Sequence, residues 1–137
     1  MFESCRPDIG DSVKHLELAK KIAGTSNHRK SRHGAVLVRG GSVLNFAKNS
    51  LRYARFPQRF MSYEQNWYCT HHAEIACILG LPKQVTKGAT IYVARVGKDG
   101  AVKNSKPCCV CQSVLKHVGV KRAIYTTDGD GVDSIKF

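Results

Sequence analysis

Two short stretches constrain this chain more than anything else in it: His72-Ala73-Glu74 and Pro107-Cys108-Cys109-Val110-Cys111 supply a histidine, a carboxylate and thiols at metal-ligand spacing. Zinc takes imidazole nitrogen and thiolate sulfur in a tetrahedral shell, and a catalytic zinc uses three protein ligands so that the fourth position stays open to water. His72, Cys108 and Cys111 meet that count. Glu74 follows the histidine by two residues on the first turn of a helix, which sets it beside the metal without binding it and leaves it free to move protons. Each stretch follows a strand-like run and opens a helical one, so the chain alternates strands and helices as an α/β fold does.

Other uses of these residues fit less well. A closed structural zinc site needs a fourth ligand that the two motifs do not offer. His71 is the rival to His72, but only His72 has the two-residue offset to Glu74. Cys109 reads as a buried or neighbouring thiol, because the Cys-x-x-Cys spacing assigns the metal to the residues on either side of it. A redox pair made of Cys108 and Cys111 would not call for His-x-Glu upstream.

His-x-Glu followed by Pro-Cys-x-x-Cys is the signature of the zinc nucleobase deaminases, and the sequence resembles the cytidine deaminase superfamily. Gly34-Ala35-Val36-Leu37-Val38, then Val43-Leu44 and Asn49, are similar to that family's first hairpin and the asparagine that follows it. The resemblance implies a three-layer α-β-α fold around a central mixed sheet of about five strands. It implies one Zn2+ per chain, held by His72, Cys108 and Cys111, with Glu74 passing a proton from water to the base and then to departing ammonia. It also implies that Asn49 holds the sugar or base and that the Ala73 amide holds the base edge. The reaction so implied is hydrolytic conversion of cytosine to uracil, with adenosine deamination in RNA as an alternative. One branch of the superfamily adds a helix and makes its last strand parallel, whereas another ends in an antiparallel hairpin. This tail resembles the second, although free cytidine deaminases generally have cysteine where His72 stands.

Lysine and arginine outnumber acids 22 to 10, a formal charge of +12. Such an excess draws anions and speeds their encounter, which implies a phosphate-bearing substrate. Single-stranded DNA or RNA is slightly favoured over a free cytidine or deoxycytidine nucleotide. A zinc-containing nucleic-acid-binding module without activity is the non-enzymatic alternative, and Glu74 counts against it. With 42% hydrophobic and 23% charged residues, the 137-residue length suits a single domain over 1–137. The start of the chain contains Glu3, Asp8 and Asp11 and no apolar run, so an intracellular, cytoplasmic or nuclear protein without a membrane span is expected. Cys5, Cys69, Cys77 and Cys109 then read as free thiols. Related folds often form homo-oligomers, though no interface can be read from these residues.

Taken in order, the chain opens with a helix from Asp11 or Ser12, carrying Val13, Leu16, Leu18, Ala19, Ile22 and Ala23 on its apolar stripe and ending at Gly24. Residues 26–33 read as a densely basic loop that could meet phosphate; His28 and His33 are metal-ligand types but have no partner at ligand spacing, so they read as solvated. Gly34–Arg39 and Ser42–Lys48 read as strands joined by a Gly40-Gly41 turn. Between Asn49 and His72, basic and aromatic residues interleave, and Arg52, Tyr53, Phe56 and Trp67 suit phosphate pairing and base stacking. The competing reading of that stretch is a packed lid. A helix from His72 to about Leu79 packs through Ile75, Ala76, Ile78 and Leu79, and Thr90–Arg95 is a buried central strand. Lys98, Lys103 and Lys106 are candidates to line the approach, Lys106 as a substrate contact. Pro107 suits the first turn of the helix that presents Cys108 and Cys111, with Val114, Leu115 and Val118 buried behind them and Gly119 as its stop. Ala123–Thr126 should run parallel to the central strand, and Asp133–Phe137 should return as the hairpin partner.

Overall fold

The computed structural model describes residues 9–27, 31–53, 70–129 and 131–137. Phe56, Trp67, His28, Cys5 and Cys69 lie outside the described residues, as does the rest of the aromatic and basic stretch apart from its first residues. Helix α1 (Ile9–Ala23) precedes strands β1 (Arg32–Arg39), β2 (Ser42–Lys48) and β3 (Ser50–Tyr53). After β4 (Thr70–His71) come α2 (Ala73–Ile78), α3 (Lys83–Thr86), β5 (Thr90–Val96) and β6 (Val102–Lys103). Helix α4 (Cys109–His117) and strands β7 (Arg122–Thr126) and β8 (Val132–Lys136) complete the order.

The main sheet runs β2-β1-β5-β7-β8, with β6 paired to the end of β5, while β3 and β4 form a small sheet of their own. Among the described strands only β5 and β7 pair in parallel, because α4 carries the chain back between them; the other described pairs are antiparallel. Gly40 and Gly41 turn β1 into β2 with φ of 60 and 81, the left-handed pair that a tight hairpin needs.

Both faces of the sheet are covered, which is why β1 and β5 read as continuous apolar runs. Successive side chains alternate between the layers. Ala35, Leu37, Ile91 and Val93 pack with α2 and α4, and Val36, Val38, Tyr92 and Ala94 pack with α1. Helix α1 comes so close to β1 that a Cβ on Gly34 would meet the Ala19 carbonyl oxygen and lie 2.6 Å from the Ala23 nitrogen. The expected three layers and the central mixed sheet are therefore present, and β8 returns antiparallel to β7 as the tail implied.

Several local expectations need correction. Helix α1 begins at Ile9, ahead of Asp11. Val13 on its apolar stripe and Leu79 after α2 are exposed, so the stripes point toward the core without stating how far the sheet extends beneath them. Strand β1 begins at Arg32, which puts His33 in the sheet rather than in a solvated loop. Pro107 lies before the helix it was expected to start: Cys108 is the N-cap of α4, and the Pro107 carbonyl accepts from Gln112 Nε2 at 2.8 Å. Cys109 is exposed rather than buried.

Candidate active site

Helices α2 and α4 bring the two motifs together by their first residues. His72 is the N-cap of α2 and Cys108 the N-cap of α4, both with extended backbone. Cys111 sits one turn into α4 and is fully buried. His72 Nδ1 is 3.2 Å from Cys111 Sγ and 3.8 Å from Cys108 Sγ, and one ligand atom from each residue lies within 4.8 Å of the other two. Bond lengths of zinc to nitrogen and sulfur place tetrahedral neighbours about 3.6 Å apart. The donor set and its spacing thus fit a zinc ion with three protein ligands, and these are the ligands expected from the motifs.

The electrostatics of the cluster suit that ion. Contact with the Cys111 thiol, together with the His72 ring, holds Cys108 down to about 4, so a thiolate is available at neutral pH. The Cys108 contact and burial raise the Cys111 thiol well above its usual range, so the pair retains a proton until a cation takes its place. Burial holds the Glu74 carboxyl above the ordinary carboxylate range, and the side chain is 4% exposed.

A cavity of about 220 Å³ opens beside this cluster. His72, Ala73, Glu74 and Cys108 contribute one part of its wall, and Ser31, His33, Asn49 and Lys106 the rest. The sequence-expected Asn49 and Lys106 are therefore brought to the same cavity as Glu74. Asn49 is itself fixed in place: its Nδ2 donates to the Ser31 carbonyl at 2.7 Å, and its Oδ1 accepts the His33 backbone N–H at 2.9 Å and the Ser26 hydroxyl. Arg52 and Tyr53 contribute backbone to β3. Ser31 and His33 are the additions that motif reading misses. The signal for His33 is parity, since positions 33, 35 and 37 share the sheet face that α2 and α4 cover.

The segment that delivers Lys106 and Cys108 is anchored from below by a pair of buried hydroxyls. Ser105 Oγ lies 2.9 Å from the Val93 carbonyl and 2.8 Å from Thr126 Oγ1, and it accepts the Thr126 backbone N–H at 2.9 Å. Thr126 Oγ1 in turn donates to the Lys103 carbonyl at 2.8 Å. These bonds tie the approach to α4 onto the centre of the sheet.

Comparison with solved structures finds the same fold. The chain is similar to a cytidine deaminase from Burkholderia pseudomallei at 18% identity and a TM-score of 0.62, covering 90% of this chain and 91% of that one. It is similar to the dCMP deaminase of cyanophage S-TIM5, also at 18% identity, with a TM-score of 0.61 and coverage of 88% and 86%. Acinetobacter baumannii RibD matches at 15% identity and a TM-score of 0.57 over 88% of this chain, which spans only 29% of the RibD chain. No curated protein matches. The family model for the cytidine and deoxycytidylate deaminase zinc-binding region matches residues 11–127. That span takes in both motifs and every strand of the sheet but the last, and the chain belongs to the cytidine and deoxycytidylate deaminases, a family of zinc-dependent enzymes that hydrolyse a carbon–nitrogen bond.

Proposed function

We propose that this chain converts cytosine to uracil with release of ammonia, acting on a cytosine that is carried by a phosphate-bearing molecule. The observation that carries the reading is the placement of buried Glu74 on the wall of a cavity shared with His72 and Cys108. At about 220 Å³ the cavity is smaller than the 300–1,000 Å³ common for drug-sized ligands, which suits a single base with part of its sugar.

Zinc held by His72, Cys108 and Cys111 supplies Lewis acidity that brings the pKa of water toward neutrality. Glu74 takes a proton from the attacking water and delivers it to the ring nitrogen; it then takes the proton of the hydroxyl so added to the base and delivers it to the amine, which departs as ammonia as the carbonyl forms. A carboxyl whose proton affinity is raised by burial accepts that proton more readily than an exposed one would. Ala73, the first helical residue of α2, has a backbone N–H with no acceptor inside the helix, and this N–H can hold the carbonyl edge of the base. Asn49, with its amide fixed by Ser26, Ser31 and His33, offers a rigid polar edge for the sugar.

The +12 charge favours a single strand of nucleic acid as the carrier, because phosphate contacts scale with the cations available to make them. A free deoxycytidylate is the second reading. It is favoured by a likeness that runs over 86% of the phage dCMP deaminase chain. The deciding assay supplies deoxycytidine monophosphate, oligodeoxycytidine and their adenine counterparts, and measures ammonia and product mass. Replacing Glu74 by glutamine should leave zinc content unchanged and abolish ammonia release; turnover retained by Glu74→Gln removes Glu74 from the mechanism.

A further inference from the structure

The helices that meet at the metal cluster by their first residues also come together at their last, and there they leave an apolar groove. Ile78, Leu79, Leu81 and Val118 line about 230 Å³, and Lys83 and His117 share the wall. Leu79 is 46% exposed, so the groove lies open to solvent. The length of α4, at 1.5 Å per residue, puts it about 14 Å from the cysteines, and a molecule seated there leaves the cavity beside Glu74 free.

Cations gather around this groove. Lys83 opens α3, Lys87 follows that helix beside Gly119, and Lys116 lies in the last turn of α4. Lys121 leads into β7 with its N–H bonded to the Ala89 carbonyl at 2.9 Å, and Arg39 donates from the end of β1 to the Gln84 carbonyl at 2.7 Å. All five are exposed, and no ion pair among the described residues involves them. Compensation of a helix dipole explains Lys116, but Arg39 ends a strand and Lys121 precedes one. The acids of the described segments lie elsewhere. Glu17 pairs with Lys20 on α1, Glu74 is in the first turn of α2, and Asp99, Asp128 and Asp133 lie about the other ends of β5 and β7. Asp11 belongs to α1, across the sheet.

We propose that this end of the molecule docks an acidic segment of a partner protein, with one bulky apolar side chain filling the groove and carboxylates on either side of it meeting the lysines. Charge complementarity selects that occupant. A second copy of this chain carries the same +12 and is repelled. A nucleic acid strand would pair its phosphates with the lysines, but its bases stack on flat rings, and no Phe, Tyr or Trp is among the residues lining the groove. An anionic membrane takes up apolar side chains that project from a surface, whereas these line a hollow. No residue of the cavity beside Glu74 enters the proposal, so it stands apart from the deaminase reading.

The test follows backbone amide signals of the zinc-loaded full-length protein by NMR. The probes are capped glutamate-rich octapeptides with a single Leu, Phe or Met near the centre, the same peptides with serine at that position, and the same peptides with glutamine for every glutamate. At least one acidic, apolar-centred peptide should move the amides of Leu79, Lys83 and Val118 and bind roughly tenfold more tightly than either counterpart. Leu79→Asp and, separately, Lys83→Glu combined with Lys87→Glu should each weaken that binding roughly tenfold, and because these positions are exposed the variants should keep the parent's melting temperature. Binding by no peptide, binding no tighter than that of the counterparts, shifts centred elsewhere, or an affinity unchanged in either variant overturns the proposal. So does an oligodeoxythymidine, or an equimolar phosphatidylserine and phosphatidylcholine vesicle, that moves the same amides more strongly than any peptide.

Discussion

Replacing Ser105 by alanine tests whether the sheet holds the metal site in place through hydrogen bonds rather than through chain connectivity alone. Ser105 is 1% exposed, and its hydroxyl is the acceptor, at 2.9 Å, for the backbone N–H of Thr126, which is equally buried. Alanine leaves that N–H without its acceptor in a place water cannot enter, and the Thr126 hydroxyl loses a neighbour at 2.8 Å. A buried donor left unpaired costs about 1–3 kcal/mol, and about 2 is the expected loss here because the Val93 carbonyl stays within the β-sheet. For 137 residues the unfolding entropy converts that into a fall in melting temperature of roughly 7 °C. Ser105 lies three residues before Cys108, so loosening it also blurs the position of one sulfur, and zinc retention against a chelator should fall by roughly tenfold. The control is Ser113→Ala: its exposed hydroxyl donates to the Cys109 carbonyl at 3.0 Å, and its removal should cost less than about 0.5 kcal/mol. Calorimetry and a competition titration with a zinc chelator give both readings on one preparation. If Ser105→Ala melts within about 2 °C of the parent and keeps its zinc equally well, the hydroxyl pair is not what anchors the α4 approach.

Gly34→Ala should destabilise the fold by about 3 kcal/mol or more, because the added carbon meets backbone atoms of Ala19 and Ala23 that can yield only if α1 moves off the sheet. An unchanged urea midpoint would show that this close approach is not real. Cys77 is fully buried, and burial raises its thiol from 9.0 to about 12. The folded state therefore keeps a proton that the unfolded chain releases, so the stability linked to Cys77 is complete below pH 9 and is lost as pH rises toward about 12. Melting temperature should fall over that window and fall less in Cys77→Ala; at pH 8 a thiol reagent should modify exposed Cys109 well before Cys77. Equal alkaline sensitivity of the two proteins would remove Cys77 as a source.

The metal cluster is legible in the sequence because zinc dictates residue type and spacing together, and few other uses of His72, Glu74, Cys108 and Cys111 satisfy both. The Gly40-Gly41 turn is legible for a comparable reason, since two consecutive left-handed residues leave glycine as the natural choice. Short elements carry no such signature. Helix α3 is only four residues long, held by Thr86 Oγ1 donating to the Val118 carbonyl at 2.6 Å, a tertiary contact that no local periodicity announces. Strand β6, at two residues, is defined by its pairing with Arg95 and Val96 and by nothing in its own sequence.

His33 shows where a different way of reading the same residues goes further. Hydropathy starts β1 at Gly34, which leaves the histidine in a basic loop, but register pairs Arg32 with Val96 and His33 with Arg95, so the strand continues upstream of its apolar core. Once it does, alternation alone assigns His33 to the side of Ala35 and Leu37, the side on which α2 and α4 present the metal ligands. The neighbours Arg32 and Gly34 belong to the opposite side, where α1 packs against Gly34. Polar residues at the end of a core strand are thus sorted by parity into those that meet the cavity beside Glu74 and those that meet the other layer. The same rule, applied to β2, makes Lys48 an α1-side residue through its pairing with Gly34 and leaves the next position, Asn49, to the cavity.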